Sequence, residues 1–256
     1  MNEKWRVWDQ DKDYGNLFFK RAIGELPEME SSKAIAKIIK QYVDENDQLL
    51  DVGCGSGHYL RSIDKVLDIP FKYHGIDPTE YYIKKGTEAF AQDINKNNRR
   101  ISTKFTVGDI YNLPIEDNSA DIVMCNNVLL HLPSIETPIK ELIRVSKKYV
   151  IIRMLLGKSS FRIKQIEKPE EYDKNGEPIN FHYYNIYSED YLKSIFSNYP
   201  DIKFSILDDM DYNFKSFGDQ LNYVNTKPDD LTSIINGIQL NVYVLQPWKF
   251  VIIEKK

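Results

Sequence analysis

The stretch Leu49–Gly57 limits the possible folds more than any other part of the chain. It reads Leu-Leu-Asp-Val-Gly-Cys-Gly-Ser-Gly, a short apolar run that ends in an acid and a glycine-rich turn. A helix-like segment, His58–Leu67, follows it, and a second strand-like run closes on Gly75-Ile76-Asp77-Pro78. A strand–turn–helix–strand unit with an acid at each strand end is the arrangement that holds an adenosine-containing cofactor. Glycine spacing narrows the ligand. A dinucleotide turn wants G-x-G-x-x-G, so that backbone N–H groups can hold a pyrophosphate. Here the glycines fall at 53, 55 and 57, and the position that pattern needs is taken by His58. Asp51 adds negative charge, which repels a pyrophosphate and attracts an ammonium or sulfonium group.

The rest of the chain alternates strand-like and helix-like segments. Ile35, Ile38, Ile39, Tyr42 and Val43 recur at helical spacing in a helix that starts near Ser31 or Ser32. Strands are expected at Gln48–Val52, Phe71–Ile76, Lys104–Val107, Asp121–Cys125 and Tyr149–Leu155. A helix over about 79–95 shows Ile83, Phe90 and Ile94 on one side. Another is expected to be capped by Ser134, with Ile135, Ile139, Leu142 and Ile143 as its stripe and Pro138 in its first turn. Gly157–Tyr187, with Pro169, Gly176 and Pro178, reads as a long loop. Ser188 opens a capped helix through Phe196. Lys203–Leu207 and Trp248–Glu254 read as an antiparallel pair, which leaves Asp208–Gln246 as an insertion longer than a hairpin needs. Such an order predicts a doubly wound α/β sheet with a mixed end. Ligands of such sheets bind beyond the carboxyl ends of the strands. Asp51, Gly53, Asp77, Asp109 and Asn126 all fall there.

These residues also carry a resemblance. Leu50–Gly57 resembles motif I of the class I S-adenosylmethionine (SAM) dependent methyltransferases, [Leu/Val]-Asp-x-Gly-x-Gly-x-Gly. Asp77 stands where that family places the acid that binds both ribose hydroxyls. Gly108-Asp109-Ile110 stands where it places an acid or amide near the adenine amine. Leu113–Val123 resembles the family's LPFxDxSFDxV run, and Asn126-Asn127-Val128-Leu129-Leu130-His131-Leu132 resembles its segment after the fourth strand. The likeness covers roughly residues 31–155 and is nearest to the small-molecule group called type 11. The chain departs from it at Ser146-Lys147-Lys148-Tyr149, where the family has a Lys-Pro-Gly-Gly turn away from the pocket. The resemblance implies a seven-stranded Rossmann-like sheet, an N-terminal helical lid over residues 1–30, and a methyltransferase domain over 31–256 with a substrate-side insertion at 208–246. It implies SAM as cofactor, S-adenosylhomocysteine (SAH) as product, and a cofactor site made of Asp51, Gly53, Cys54, Gly55, Ser56, Gly57, Asp77, Pro78, Asp109, Ile110 and Asn126.

Bulk properties bound the partners. A 256-residue chain with 42% hydrophobic residues can bury a full core. Its net charge of −4 does not favour a nucleic-acid partner, whose affinity rests on phosphate neutralisation. The basic runs Asn97–Arg100 and Lys147-Lys148 are short and read as a solvated loop and a helix end. Cys54 and Cys125 have no ligand-spaced partners, so reduced thiols are expected and no metal site. The charged N-terminal residues do not read as a signal peptide, and no apolar run reaches membrane-spanning length. A cytoplasmic protein that does not enter the membrane is expected; the oligomeric state is open.

Methyl transfer rests on alignment and water exclusion, with a base needed only for a hydroxyl or protonated amine. The resemblance puts His131 at the pocket mouth, as base or as a packing histidine. His182, with Tyr183 and Tyr184, lies in the loop after the fifth strand, which commonly faces substrate. Tyr14 is a further proton-acceptor candidate. Tyr14, Phe18, Phe19 and Arg21 could form the lid, with Arg21 holding a carboxylate or phosphate. His58 more simply begins a helix, His74 alternates inside a strand, and Trp248 reads as core. The run after the fourth strand lacks the Asn/Asp-Pro-Pro-Tyr/Phe pattern of nucleobase amine methylation, and neither cysteine suits cytosine-C5 chemistry. The expected function is methyl transfer to a small molecule or sugar derivative, oxygen favoured over nitrogen. An RNA or protein methyltransferase and a SAM-binding protein without turnover stand as alternatives.

Overall fold

A computed structural model describes residues 5–91, 101–210, 223–225, 232–235, 238–241 and 248–255. In chain order the elements are a helical turn at Val7–Gln10, α1 (Lys12–Ile23), α2 (Glu30–Ile39), β1 (Gln48–Val52), α3 (His58–Val66), β2 (Phe71–Asp77), α4 (Glu80–Ala91), β3 (Ile101–Val107) and β4 (Ala120–Asn126). Then come a short helical turn (Leu129–His131), α5 (Glu136–Val145), β5 (Ser146–Gly157), β6 (Lys164–Ile166), β7 (Phe181–Tyr183), β8 (Tyr187–Ser188), α6 (Glu189–Phe196) and β9 (Ile202–Asp208). The chain continues through β10 (Tyr223–Asn225), β11 (Thr232–Ile235), β12 (Ile238–Asn241) and β13 (Trp248–Lys255).

The main sheet runs β3-β2-β1-β4-β5-β13-β9, with the short β8 beside the end of β5. The first five strands are parallel, and β13 lies antiparallel between β5 and β9. This is the expected seven-stranded, doubly wound sheet with a mixed end. From β1 the chain winds outward through β2 and β3, then returns to place β4 on the other side of β1. The crevice at the carboxyl ends of β1 and β4 is therefore the switch point.

The strands at the centre are buried on both faces. In β4, Val123 and Cys125 join one core with Ile139, Leu142 and Val150, while Ile122 and Met124 join the other with Ile35, Leu60 and Ile63. Period-two alternation thus sends successive residues into opposite layers, and the strand reads as continuously apolar for that reason.

Several expectations need correction. Gly157–Tyr187 is not a long loop. It contains the antiparallel hairpin β6–β7, with Gln165 opposite His182, and both Phe181 and Tyr183 are buried in it. Cross-strand pairing of aromatic residues overrode the loop-like proline and glycine content. Ser134 does not cap α5. That helix starts after Ile135 without a side-chain cap, and the Ser134 carbonyl instead accepts from the Tyr111 hydroxyl at 2.9 Å. By contrast, Ser188 does cap α6, accepting from the Tyr191 N–H at 3.2 Å. Trp248 is half-buried rather than core. The expected ends of the helix after β2, at Ile94 and Asn95, lie outside the described residues, as does Asn97–Arg100. Most of the 208–246 insertion lies outside them too; β10, β11 and β12 form a three-stranded antiparallel sheet within it.

Candidate functional site

The turn after β1 is held against the end of β2. The N–H groups of Gly53 and Cys54 both donate to the Ile76 carbonyl, at 2.7 and 3.1 Å. Gly53 takes φ +79°, and a Cβ there would sit 2.3 Å from Val128 Cγ2. Only glycine meets both demands at once. The next glycine N–H, that of Gly55, donates to Asp77 Oδ2 at 2.9 Å, and the Thr79 N–H donates to Asp77 Oδ1 at 2.9 Å. Two strand ends and a turn therefore meet on one carboxyl group.

This corner is electrostatically poised. Burial pushes Asp77 up to about 6, against the pull of its two backbone donors. Burial likewise pushes Asp51 up to about 7, with the Tyr73 hydroxyl donating to Oδ2 at 2.6 Å. Among the described residues, Asp51 Oδ1, both ring nitrogens of His58 and both side-chain polar atoms of Asn126 are buried without a hydrogen-bond partner. Orphaned buried polar groups are costly and call for a partner.

A cavity of about 390 Å³ opens at this crevice. Of the residues singled out from the sequence, it is lined by Tyr14, Gly53, Gly55, Asp77, Pro78, Asp109, Ile110, Asn126, His131, His182 and Tyr184. Others do not line it. Asp51 lies behind the turn. Cys54 Sγ donates to the Gly55 carbonyl, and Ser56 Oγ to the Gly15 carbonyl at 3.2 Å, so both serve the turn's packing. Gly57, Arg21 and Tyr183 also stand outside the lining, although the Tyr183 carbonyl accepts a hydrogen bond from His131. His74 pairs with Thr106 Oγ1 inside the sheet.

The N-terminal segment covers one side of the cavity. Trp5, Arg6, Trp8, Asp9, Tyr14 and Phe18 all line it. Phe18 stacks on His58 with ring centroids 4.4 Å apart, and Trp8 meets His131 edge-on at 4.9 Å. Arg6 forms an ion pair with Asp109 across the opening. Tyr82 donates to the Asp11 carbonyl at 2.9 Å, which ties the start of α1 to α4. Sequence reasoning missed Arg6, Trp8, Asp9, Asn127, Gln165 and the inward role of Trp248. The repeated tryptophans were the one available signal.

At the far end of the cavity two histidines face Trp8. The Nδ1–H of His131 donates to the Tyr183 carbonyl at 2.8 Å, and burial pushes its pKa down to about 4, so the ring is neutral. His58 is pushed down to about 3 by burial and by Arg21. His182 Nδ1 lies 2.5 Å from Glu167 Oε1. Burial raises the pKa of Tyr14 and disfavours its phenolate.

The arrangement fits an adenosine-bearing amino acid. Asp77 presents a carboxyl group to the cavity, and Asn126 presents a donor and an acceptor without a partner among the described residues. The glycine turn lets backbone approach where a side chain would block it.

A methyltransferase domain family model matches residues 50–152. An uncharacterised methyltransferase of Schizosaccharomyces pombe is 34% identical over 108 residues, covering 42% of this chain and 38% of the relative. Ajmaline N-methyltransferase of Rauvolfia serpentina is 32% identical over 125 residues, covering 48% and 41%. Sterol 24-C-methyltransferase of Aspergillus fumigatus is 31% identical over 105 residues, covering 41% and 26%. The chain thus spans less than half the length of these curated relatives. A SAM-dependent methyltransferase structure from Methanosarcina mazei shares the fold, with a TM-score of 0.52 at 20% identity over 86% of this chain and 96% of that one. The glycine turn, the acids that close the strands and the family match together identify residues 50–152 as a segment of the class I SAM-dependent methyltransferase type, with SAM as its cofactor.

Proposed function

We propose that the protein transfers a methyl group from SAM to a small molecule or sugar derivative, at oxygen in preference to nitrogen. The observation that carries this reading is the aromatic-walled cavity that adjoins the glycine turn and the orphaned Asn126. When bound, SAM supplies an electrophilic methyl group on a sulfonium. Asp77 would hold the ribose hydroxyls, Asp109 and Ile110 the adenine side, and Asn126 with the Gly53–Gly55 backbone the amino-acid end. Asp51, behind the turn, adds negative potential that favours a cation there.

The remaining residues supply alignment and dryness. Residues 1–30 act in this reading as a lid whose Trp5, Trp8, Tyr14 and Phe18 exclude water, which strengthens every electrostatic contact inside. Residues 31–256 form the catalytic domain. An acceptor lies beside Trp8, His131, His182, Tyr184 and Trp248, all of which line the cavity. His131 is neutral and can take a proton, or can simply orient the acceptor. Relatives named for ajmaline and for a sterol support a small acceptor over a macromolecule. The net charge of −4 gives no support to an RNA acceptor.

A screen of hydroxylated and amine metabolites, scored by SAH release, tests the reading. Release with a small hydroxylated compound is expected. Release with RNA or protein and with none of the small molecules would overturn it.

A further inference from the structure

The hairpin β6–β7 brings together a pair of side chains that the cofactor site does not use. His182 and Glu167 lie 15 residues apart in sequence, on neighbouring strands. The ladder sets Gln165 directly opposite His182, and the Glu167 N–H donates to the Asn180 carbonyl at 3.0 Å. Glu167 is thus two residues beyond Gln165 on the same face and diagonal to His182, where side chains on adjacent strands meet. Its carboxylate reaches the imidazole Nδ1 at 2.5 Å. His182 is mostly buried and lines the cavity; Glu167 stands behind it, one-third exposed to solvent.

A carboxylate on Nδ1 fixes the proton there and leaves Nε2 with its lone pair. Among the described residues no hydrogen bond engages that Nε2. His131 has no such carboxylate partner. Its Nδ1–H is held by a neutral carbonyl, and burial opposes its charged form. Of the two histidines, His182 is therefore the one built to accept a proton.

The surroundings describe what would give that proton. Trp8 lies 5.5 Å from His182 and Tyr184 6.1 Å from His131, centroid to centroid, and Trp248 also lines the cavity. Flat faces of this kind suit a planar ring. Among the described residues lining the cavity, Arg6 is the one lysine or arginine, and it is paired with Asp109. A carboxylated or phosphorylated acceptor finds no free cation among those residues. Among the described residues, the carboxylates that line the cavity are Asp9, Asp77 and Asp109, at the cofactor corner and along the N-terminal segment, so those residues offer a cationic acceptor no lining carboxylate at the histidine end.

We propose that His182 is the general base, that Glu167 is its positioning residue, and that the acceptor is an uncharged planar compound bearing a phenol-type hydroxyl. In the step assigned to them the O–H bond breaks and its electron pair stays on oxygen. The proton moves to Nε2, whose lone pair forms the new N–H bond. This inference rests on the methyltransferase reading and deepens it.

Binding of para-nitrophenol to the SAH complex tests it without turnover, because the phenolate is yellow and the phenol is not. The measurement is made below the phenol's own pKa, where the free compound is neutral. The wild-type SAH complex is expected to bind the phenol and develop the phenolate band. Glu167→Gln and His182→Gln are expected to bind SAH and the phenol with the band reduced about tenfold, one unit of the bound phenol's pKa. Glu167→Asp is expected to restore part of it. An undiminished band in Glu167→Gln or His182→Gln would overturn the assignment of the base. A Glu167→Gln variant that binds SAH but no phenol would make Glu167 a shaping residue and overturn its positioning role. Failure of the wild-type SAH complex to bind the phenol would overturn the acceptor class. Failure of the wild type to bind SAH at all would overturn the methyltransferase reading itself.

Discussion

Replacing Asp77 by Asn separates the charge of this residue from its shape. The wild-type carboxylate accepts from the N–H groups of Gly55 and Thr79, each at 2.9 Å, and lines the cavity with its remaining lone pairs. Asparagine keeps one acceptor oxygen and turns the other into a donor, which faces a backbone N–H or a ribose hydroxyl. One charge-assisted bond, worth about 1.5–3 kcal/mol, is lost, and a buried donor left unpaired costs about 1–3 kcal/mol. Part of the second cost is relieved by rotation or water, so the SAH affinity of Asp77→Asn should fall by about 2–4 kcal/mol, or roughly 30- to 1,000-fold. The pH dependence gives a second, independent reading. Burial holds Asp77 near 6 without ligand, and the proposed contact with the ribose hydroxyls requires it ionised. A raised carboxyl must release its proton on binding, so affinity rises as pH rises through about 6 and is lost below it. At about pH 5, one unit below, this step by itself should weaken wild-type affinity about tenfold. Asp51, near 7, adds a second step in the same direction, and it survives in the variant. Calorimetric titration with SAH across this range checks both effects. Wild-type affinity in Asp77→Asn, or an unchanged step near pH 6, would refute the assignment of Asp77 to the ribose.

Gly53→Ala should lower both stability and SAH affinity, since φ +79° costs an L-residue about 1–2 kcal/mol and its Cβ would lie 2.3 Å from Val128 Cγ2. Thermal denaturation should show a drop of several degrees that Val128→Ala partly recovers; no drop would mean that the turn can rearrange. Hydrogen exchange over residues 5–30 should slow when SAH binds, because Trp8, Tyr14 and Phe18 gain a surface to pack on; equal rates with and without SAH would make the segment fixed scaffold. His131→Asn should leave SAH affinity within about twofold of wild type, well under one 1.4 kcal/mol step, since its ring contacts lie at the acceptor end. A larger loss would place His131 in the cofactor site.

The cofactor corner was legible in the sequence because strand ends are marked twice. The apolar run of β4 stops at Asn126 and that of β1 at Asp51-Val52-Gly53, and the sheet's period fixes where each acid falls. The acceptor end was not. The Glu167–His182 contact depends on the hairpin register, and nothing local to either residue announces that they lie on one face. The helix α1 was hidden for a different reason. Its buried positions are Gly15, which lets Tyr82 approach, and Ala22, so no apolar stripe forms. Trp248 begins β13 like a core residue, yet its ring sits under the Arg153 guanidinium at 4.2 Å and faces the cavity. Sequence pattern specifies burial, whereas which buried residues face a cavity is a property of packing between elements.

The assignment of the cofactor is tested most directly by titrating the purified protein with SAH and, separately, with NADH. The 53/55/57 glycine spacing and the buried acids Asp51 and Asp77 predict SAH binding on a micromolar scale and no binding of NADH, whose pyrophosphate finds no G-x-G-x-x-G turn here. NADH binding without SAH binding would contradict the assignment.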